Sequence, residues 1–253
     1  SYVWVPANAG LMEGSRIGDW YAFKALGVYA TDEAARSAPT DMVIGADKRK
    51  FGGDVIWQDT DGNGLIDPRD KVYVGNAFPT WTGGITNTVS FKNFSLLARL
   101  DYTVGHSIYN YARAYYDGNW QGDVNMTKEF ADKSWKKQGD VTDVPRYYWQ
   151  DQTQQNIWRG NGNTGISSSY VERGDFLCVR EVTLSYTVPS KFLQKARLSN
   201  LRLNLTGNNL HYFTAYKGLN PEDGGYTTNP NTWGDRGRYP NPRNLIFGAT
   251  VSF

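Results

Sequence analysis

Apolar and polar side chains alternate along several stretches of this chain, most cleanly in residues 244–253. There Leu245, Phe247, Ala249, Val251 and Phe253 fall on one side, and Asn244, Gly248, Thr250 and Ser252 on the other, with Ile246 the one exception. Side chains alternate across a strand, so this pattern predicts a strand with one apolar and one polar face. Four more stretches repeat it: 81–91, 94–104, 176–187 and 201–209. A sixth strand is predicted, less cleanly, over 18–30. About ten such residues suffice for a tilted strand to cross a bilayer core. Charged residues fall almost wholly on the polar faces, as they must if the other face meets lipid, where Arg or Lys at mid-bilayer costs roughly 2–4 kcal/mol. Arg180 falls by simple alternation on the apolar side of its strand, and is therefore expected at the membrane edge. The same alternation also suits a half-buried strand of a soluble sandwich.

Connection lengths separate the two. Lys92-Asn93 reads as a tight turn, and 188–200 is a link of moderate length, whereas 31–80, 105–173 and 210–243 are long. Short turns on one side and long loops on the other are the build of bacterial outer-membrane barrels. Sandwiches seldom carry three structureless loops of that size. The alternative is that these stretches contain further strands. A helix is expected inside the second, with Thr127 as N-cap, Glu129, Phe130, Ala131 and Trp135 within, and Gly139 as the stop. Six strands cannot close a barrel, because the smallest have eight, and open edges are not tolerated in lipid. The chain is therefore expected to be part of a larger barrel.

Composition narrows the chemistry. With 27 basic and 25 acidic residues in 253, net charge is +2, which argues against a nucleic-acid partner. Two histidines and one cysteine are too few for a zinc cluster, a Cys-His pair or a disulfide framework. No apolar run reaches the roughly 18 residues of a transmembrane helix. No signal peptide precedes Ser1, so a mature, truncated or fragmentary chain is expected. Nine Trp, 17 Tyr and 11 Phe beside a mean hydropathy of −0.58 fit strands with one wet face, long loops and aromatic girdles. They also fit a secreted carbohydrate-binding sandwich. No nucleophile–base pair stands out, His106 and His211 read as interfacial loop residues, and an enzyme is not expected.

The sharpest local motif is DTDGNGLIDPRD, Asp59 to Asp70. Asp59, Asp61, Asn63, Asp67 and Asp70 take the oxygen-ligand positions of a twelve-residue calcium loop, Gly64 takes the sharp turn, and Leu65 offers its carbonyl. Four carboxylates this close repel one another unless a cation sits among them. The loop thus predicts a structural Ca²⁺, with Asp replacing the usual bidentate Glu at the last position. The alternative is a metal-free Asp/Gly/Asn turn. A second stretch, DGNWQGDVN from Asp117, reads as a polar loop.

Seven segments, in order, resemble the C-terminal third of SusC/RagA-type TonB-dependent outer-membrane transporters. They are RIGDWYAFKALGVYATDEAA; GDVIWQDTDGNGLIDPRDKVYVGNAFPTWTGGI; SFKNFSLLARLDYTVGHSIYN; SWKKQGDVTDVPR; YVERGDFLCVREVTLSYTVP; LRLNLTGNNLHYFTAYKGLNPE; and YPNPRNLIFGATVSF. Cys178, Glu181 and Asn220 depart from the family pattern, locally. The resemblance implies an all-β fold: the last six or so antiparallel strands of a barrel of about 22 strands, with long extracellular loops. It implies residues 1–253 as a barrel segment without plug or earlier strands, and 59–70 as a calcium-type loop within an extracellular loop. It also implies import of a bulky glycan or peptide across the outer membrane of a Bacteroidetes-type Gram-negative bacterium. TonB would act through the absent N-terminal region, and a SusD-like lipoprotein would cap the mouth. Phe253 would be the end recognised by barrel-assembly machinery, its strand pairing with the absent part of the same barrel.

Loop aromatics are the candidate contacts to a substrate or to the lid: Trp120, Tyr147, Tyr148, Trp149, Trp158, Tyr226 and Trp233. Self-packing of the loops is the alternative. Arg99, Asp101, Arg202 and Asn204 are expected on the polar face, either lining a path or forming an internal ion-pair network. Two further readings stay open: a secreted calcium-dependent carbohydrate-binding β-sandwich, and a non-transporting structural subunit of an outer-membrane assembly.

Overall fold

The computed structural model describes residues 14–42, 49–117, 125–147, 167–194, 197–222 and 234–253. In chain order its strands are β1 (Asp19–Phe23), β2 (Ala25–Val28), β3 (Thr40–Asp41), β4 (Val55–Trp57), β5 (Leu65–Ile66), β6 (Lys71–Asn76), β7 (Trp81–Phe91), β8 (Phe94–Val104), β9 (Ser107–Tyr109), β10 (Val171–Arg173), β11 (Phe176–Thr187), β12 (Asn200–Thr214) and β13 (Asn244–Ser252). Its helices are α1 (Asp32–Ala35), α2 (Tyr111–Asp117), α3 (Lys128–Lys133) and α4 (Ser190–Leu193). The chain divides into two compact units, one gathering 1–78, 107–173 and 222–238, the other 79–106, 174–221 and 239–253.

The second unit is one antiparallel sheet in the order β13-β12-β11-β8-β7, the up-and-down order the connection lengths predict. β7, β8 and β11 have the expected bounds, whereas β12 runs on past Asn209 as far as Thr214. Large apolar side chains stand exposed along one face, among them Trp81, Ile85 and Val89 of β7 and Leu245, Phe247 and Val251 of β13. Among the described residues β7 and β13 each have a single neighbour, so both edges of the sheet lie open there. No described helix is long and apolar enough to cross a membrane, which says nothing of crossing by strands. Gly83 leaves room for the outer end of the Tyr102 side chain from the neighbouring strand, whose hydroxyl would lie 2.7 Å from a Cβ there.

β11 carries a bulge that overturns the placing of Arg180. Val179 pairs with Leu100 and Glu181 with Arg99, so Arg180 is an extra residue between consecutive partners. One extra residue resets the in–out phase. Cys178 therefore pairs with Asp101, on the polar side, while Leu177 and Val179 pair with Tyr102 and Leu100, on the apolar side. Arg180 belongs to the polar network, not to the membrane edge.

The expected sixth strand is also corrected. Residues 18–30 form two short strands with different partners, β1 with β6 and β2 with β4, in the first unit. β1 is buried on both faces, including Trp20, Ala22 and Phe23, so it has no side to offer lipid. The long stretches are not structureless: 31–80 pairs within itself through β3 with β5, and 105–173 within itself through β9 with β10. Each of these strands is too short to bury a face alone, and together they enclose Trp20, Ala22, Ala77, Tyr109, Ala114, Phe130 and Tyr170, with a second cluster of Phe23, Val55, Trp57 and Ile66. α3 begins at its predicted cap, where the Thr127 hydroxyl accepts from Phe130 N, but it ends at Lys133. Trp135 lies beyond it and donates through its indole N–H to the Ala30 carbonyl, 3.0 Å away, an anchor that replaces further helical turns.

Candidate metal loop and polar sheet face

The Asp-rich loop is built around its own backbone. Asp59 accepts from Gly62 N at 2.7 Å and from Gly64 N at 2.8 Å, which winds the chain back upon its first carboxylate. Gly62 and Gly64 have φ of 69° and 78°, in the left-handed region that favours glycine. Asp61 accepts from Asn63 N, and the Asn63 amide oxygen accepts from Leu65 N at 2.7 Å. Asp70 is fully buried, and its two oxygens accept from Thr60 N and Asp67 N at 2.7 and 2.8 Å. Pairing with β3 uses the Gly64 and Ile66 carbonyls, taken by Thr40 N and Met42 N. By strand alternation the Leu65 carbonyl points away from β3.

This winding brings carboxylate oxygens of Asp59, Asp61 and Asp70 within 4.8 Å of one another. Asp67 is not in that group. It accepts from Arg69 N at 2.8 Å and from the Arg69 guanidinium at 2.7 Å, which holds its carboxyl below the usual carboxylate range. The three carboxylates thus fit a hard cation, while Asp67 caps the Pro68–Asp70 turn. The spacing alone could not reveal this, because Arg69 sits between two ligand positions and recruits one of them.

Nearby in the same unit lie two ion pairs with fully buried carboxylates that the sequence does not announce. Lys50 Nζ is 3.3 Å from Asp41, both enclosed. Arg146 Nε donates to buried Asp54 at 3.0 Å, and its guanidinium also stands 5.6 Å from the Phe51 ring centroid. Burial pushes the Asp54 carboxyl up, against the pull of Arg146.

In the sheet unit, the polar face carries a connected network. Asp101 takes Arg99 Nε at 3.0 Å on one oxygen and Arg180 Nε at 2.8 Å on the other. Arg180 reaches on to the Asn209 amide oxygen at 2.8 Å and the Tyr212 hydroxyl at 3.2 Å. Gly84 leaves room for it: a Cβ there would lie 2.8 Å from Asp101 Oδ1. Further along the face Thr183 bonds Glu181 and Thr206, and Arg202 donates to the Ser185 hydroxyl at 3.0 Å. Of the four residues expected here, Arg99 and Asp101 meet, Arg202 finds Ser185, and Asn204 pairs across to Ser185 and Gly248 without entering an ion pair. Arg180 is the member the pattern misses.

Tyr147 is exposed and follows Arg146 directly. Trp120, Tyr148, Trp149, Trp158, Tyr226 and Trp233 lie outside the described residues. Phe253 follows β13 and is exposed. Neither histidine is a loop residue at the surface. His211 lies within β12, and His106 is buried, edge-on to Phe176, with its Nδ1 unpartnered.

No family model matches the chain. Among curated proteins it is similar to TonB-dependent receptor P3 of Formosa agariphila, 30% identical over 248 residues that cover 96% of this chain and 23% of the relative. TonB-dependent receptor P39 of the same bacterium is 28% identical over 95% of this chain and 25% of its own length. The chain thus spans about a quarter of the length of the curated relatives it matches. Among solved structures, that of the RagAB peptide transporter superposes with a TM-score of 0.66 at 22% identity, covering 93% of this chain and 23% of that one. The RagAB peptide importer in a closed-closed state gives 0.65 at 24% identity, over 92% of this chain and 23% of the other. At these identities the structural likeness speaks for the fold, an outer-membrane barrel segment.

Proposed function

Because the chain belongs with the SusC/RagA-type TonB-dependent receptors over nearly its whole length, we propose that it is the strand-and-loop part of an active importer of bulky nutrients, glycan or peptide, in the outer membrane. The observation that carries this is the single up-and-down sheet with one apolar face, one face bearing the Arg99–Asp101–Arg180 network, and two open edges. Such a sheet is stable in lipid only when closed by further strands. The long connections fold into a unit with its own core, which would offer a surface to a SusD-like lipoprotein lid, and TonB would energise transport through a plug domain. Tyr147 and the loop aromatics Trp120, Tyr148, Trp149, Trp158, Tyr226 and Trp233 are the proposed contacts.

The relatives are receptors rather than enzymes, in keeping with the lack of a nucleophile–base pair in the sequence. A secreted sandwich would require a second sheet packed on the first, and the sheet unit has one among its described residues. The test is uptake. Cells lacking the gene are expected to lose protonophore-sensitive uptake of one class of glycan or peptide, and the tagged protein to co-purify with a lipoprotein. Unchanged uptake of every oligomer tried, by cells in which the protein still assembles, overturns transport and favours the structural subunit.

The Asp-rich loop would hold a structural Ca²⁺ through Asp59, Asp61, Asp70, Asn63 and the Leu65 carbonyl. Three close carboxylates, one fully buried, support this. Bound calcium would supply charge neutralisation, and the residues fix the loop to β3 and β6. Affinity in the roughly 10⁻⁴–10⁻³ M class of extracellular modules is expected. At about ten times Kd, stabilisation is about 1.4 kcal/mol. Thermal unfolding with millimolar Ca²⁺ should show this gain in the native protein and its loss in Asp59→Asn. Equal melting with Ca²⁺ and with chelator overturns the site.

A further inference from the structure

The short links lie at one end of the sheet, an end that the proposed transport does not use. Two links meet there. Asn93 of the β7–β8 turn accepts from Thr187 N at 2.9 Å and donates through its side chain to the Thr187 carbonyl at 2.8 Å, tying that turn to the end of β11. Phe94 and Tyr186 stack beside this joint, ring centroids 4.7 Å apart. α4 begins three residues after Thr187, and Ser199 N donates to the Ser252 carbonyl at 2.8 Å, which brings the end of β13 to the same edge.

Aromatic rings are exposed along this edge: Phe91 at 69%, Phe192 at 64% and Phe253 at 93%. Within α4, Leu193 turns inward and is buried while Phe192 points out. Two of the exposed rings carry an ammonium of their own. Lys92 Nζ lies 5.3 Å from the Phe91 centroid, and Lys191 Nζ lies 4.9 Å from that of Phe192. Arg197 adds a third cation. Among the described residues of this edge, 89–95, 186–194, 197–201 and 249–253, there is no Asp or Glu. None of the three cations has a carboxylate within ion-pair distance among the described residues. A protein surface facing water mixes the two signs. A surface with apolar rings below unneutralised ammonium groups matches a bilayer interface, where rings sit at headgroup level and basic side chains reach the phosphates.

From this we infer that the short-link edge is a binding surface for anionic phospholipid headgroups, with Lys92, Lys191 and Arg197 on the phosphates and Phe91 and Phe192 in the acyl boundary. This rests on the barrel reading above, since only a membrane-inserted sheet presents the edge to lipid. Charge complementarity selects the occupant. Each basic residue near an anionic membrane surface strengthens attachment about fivefold, so loss of all three should weaken it at least tenfold.

The test uses the intact outer-membrane protein that contains this chain, purified in detergent and titrated with phosphatidylglycerol, phosphatidylcholine or inorganic phosphate, with bound lipid counted by native mass spectrometry. The expected result is retention of phosphatidylglycerol over phosphatidylcholine, no competition by inorganic phosphate, and at least tenfold weaker retention in the K92Q/K191Q/R197Q variant. Heat-modifiable migration on gels reports separately whether the barrel is folded. A folded barrel that holds both lipids equally, or whose triple variant keeps the preference, overturns the inference alone. A protein with no heat-modifiable form overturns the barrel reading and this inference with it.

Discussion

Asp54 and His106 show how single buried polar groups decide local stability. Asp54 is enclosed and depends on Arg146 and on Phe51 N, which donates to it at 2.8 Å. Removing one partner of a buried pair leaves the other uncompensated. Arg146→Ala should therefore cost about 3 kcal/mol in chemical denaturation of the native protein, and adding Asp54→Asn should recover part of it. His106 behaves in the opposite sense. Burial lowers its pKa, against the smaller pull of the Pro221 carbonyl and Asp175. The unfolded chain then binds more protons than the folded one just below the unperturbed value of about 6.5. Stability is complete above that value and falls as pH drops through the window between the two pKa values. The melting temperature should thus decline between pH 7.5 and 5 by more in the native protein than in His106→Gln; parallel curves would show that His106 is not responsible.

At the scale of elements, the bulge in β11 lets one strand satisfy two demands. Without it, Cys178 and Arg180 would stand on the same face as Val182 and Leu184. With it, Leu177 and Val179 take that face and Arg180 meets Asp101. Deletion of Arg180 removes the extra residue and preserves alternation on both sides of it, so the barrel should still assemble, with Asp101 left to Arg99. Deletion of Leu184 has no such escape, since it inverts every residue on one side of the cut. Heat-modifiable migration should persist in the first variant and vanish in the second. The short strands β1 to β6 obey another rule: they are held by partners far along the chain and by a shared core rather than by their own patterns.

Considered as a whole molecule, the sheet is incomplete by itself. β7 and β13 leave two rows of backbone donors and acceptors without partners within the sheet, and the apolar face presents Trp81, Ile85, Phe247 and other large side chains. Unpaired edges beside an apolar face template aggregation in water and are forbidden in lipid. The 253-residue chain expressed alone should therefore fail to give a monomer in detergent-free buffer by size-exclusion chromatography. A soluble, well-folded monomer would contradict the barrel assignment.

What the sequence determined by itself was whatever repeats at short range. The alternation of eleven-residue strands such as Trp81–Phe91 and Phe94–Val104 is visible because it runs through several periods, and it fixes both their bounds and their faces. The gathering of Asp59, Asp61 and Asp70 is likewise legible, because a loop folded around its own backbone needs no distant partner. Tertiary structure decided the rest. β3 and β5 are two residues each, too short for any period, and exist because Thr40 and Met42 find the Gly64 and Ile66 carbonyls. Asp67 pairs with Arg69 at 2.7 Å and stands outside the group of three carboxylates, a contact between side chains that spacing does not record. The place of Arg180 rests on pairing with β8, since a bulge is a mismatch between two strands and neither one alone records it.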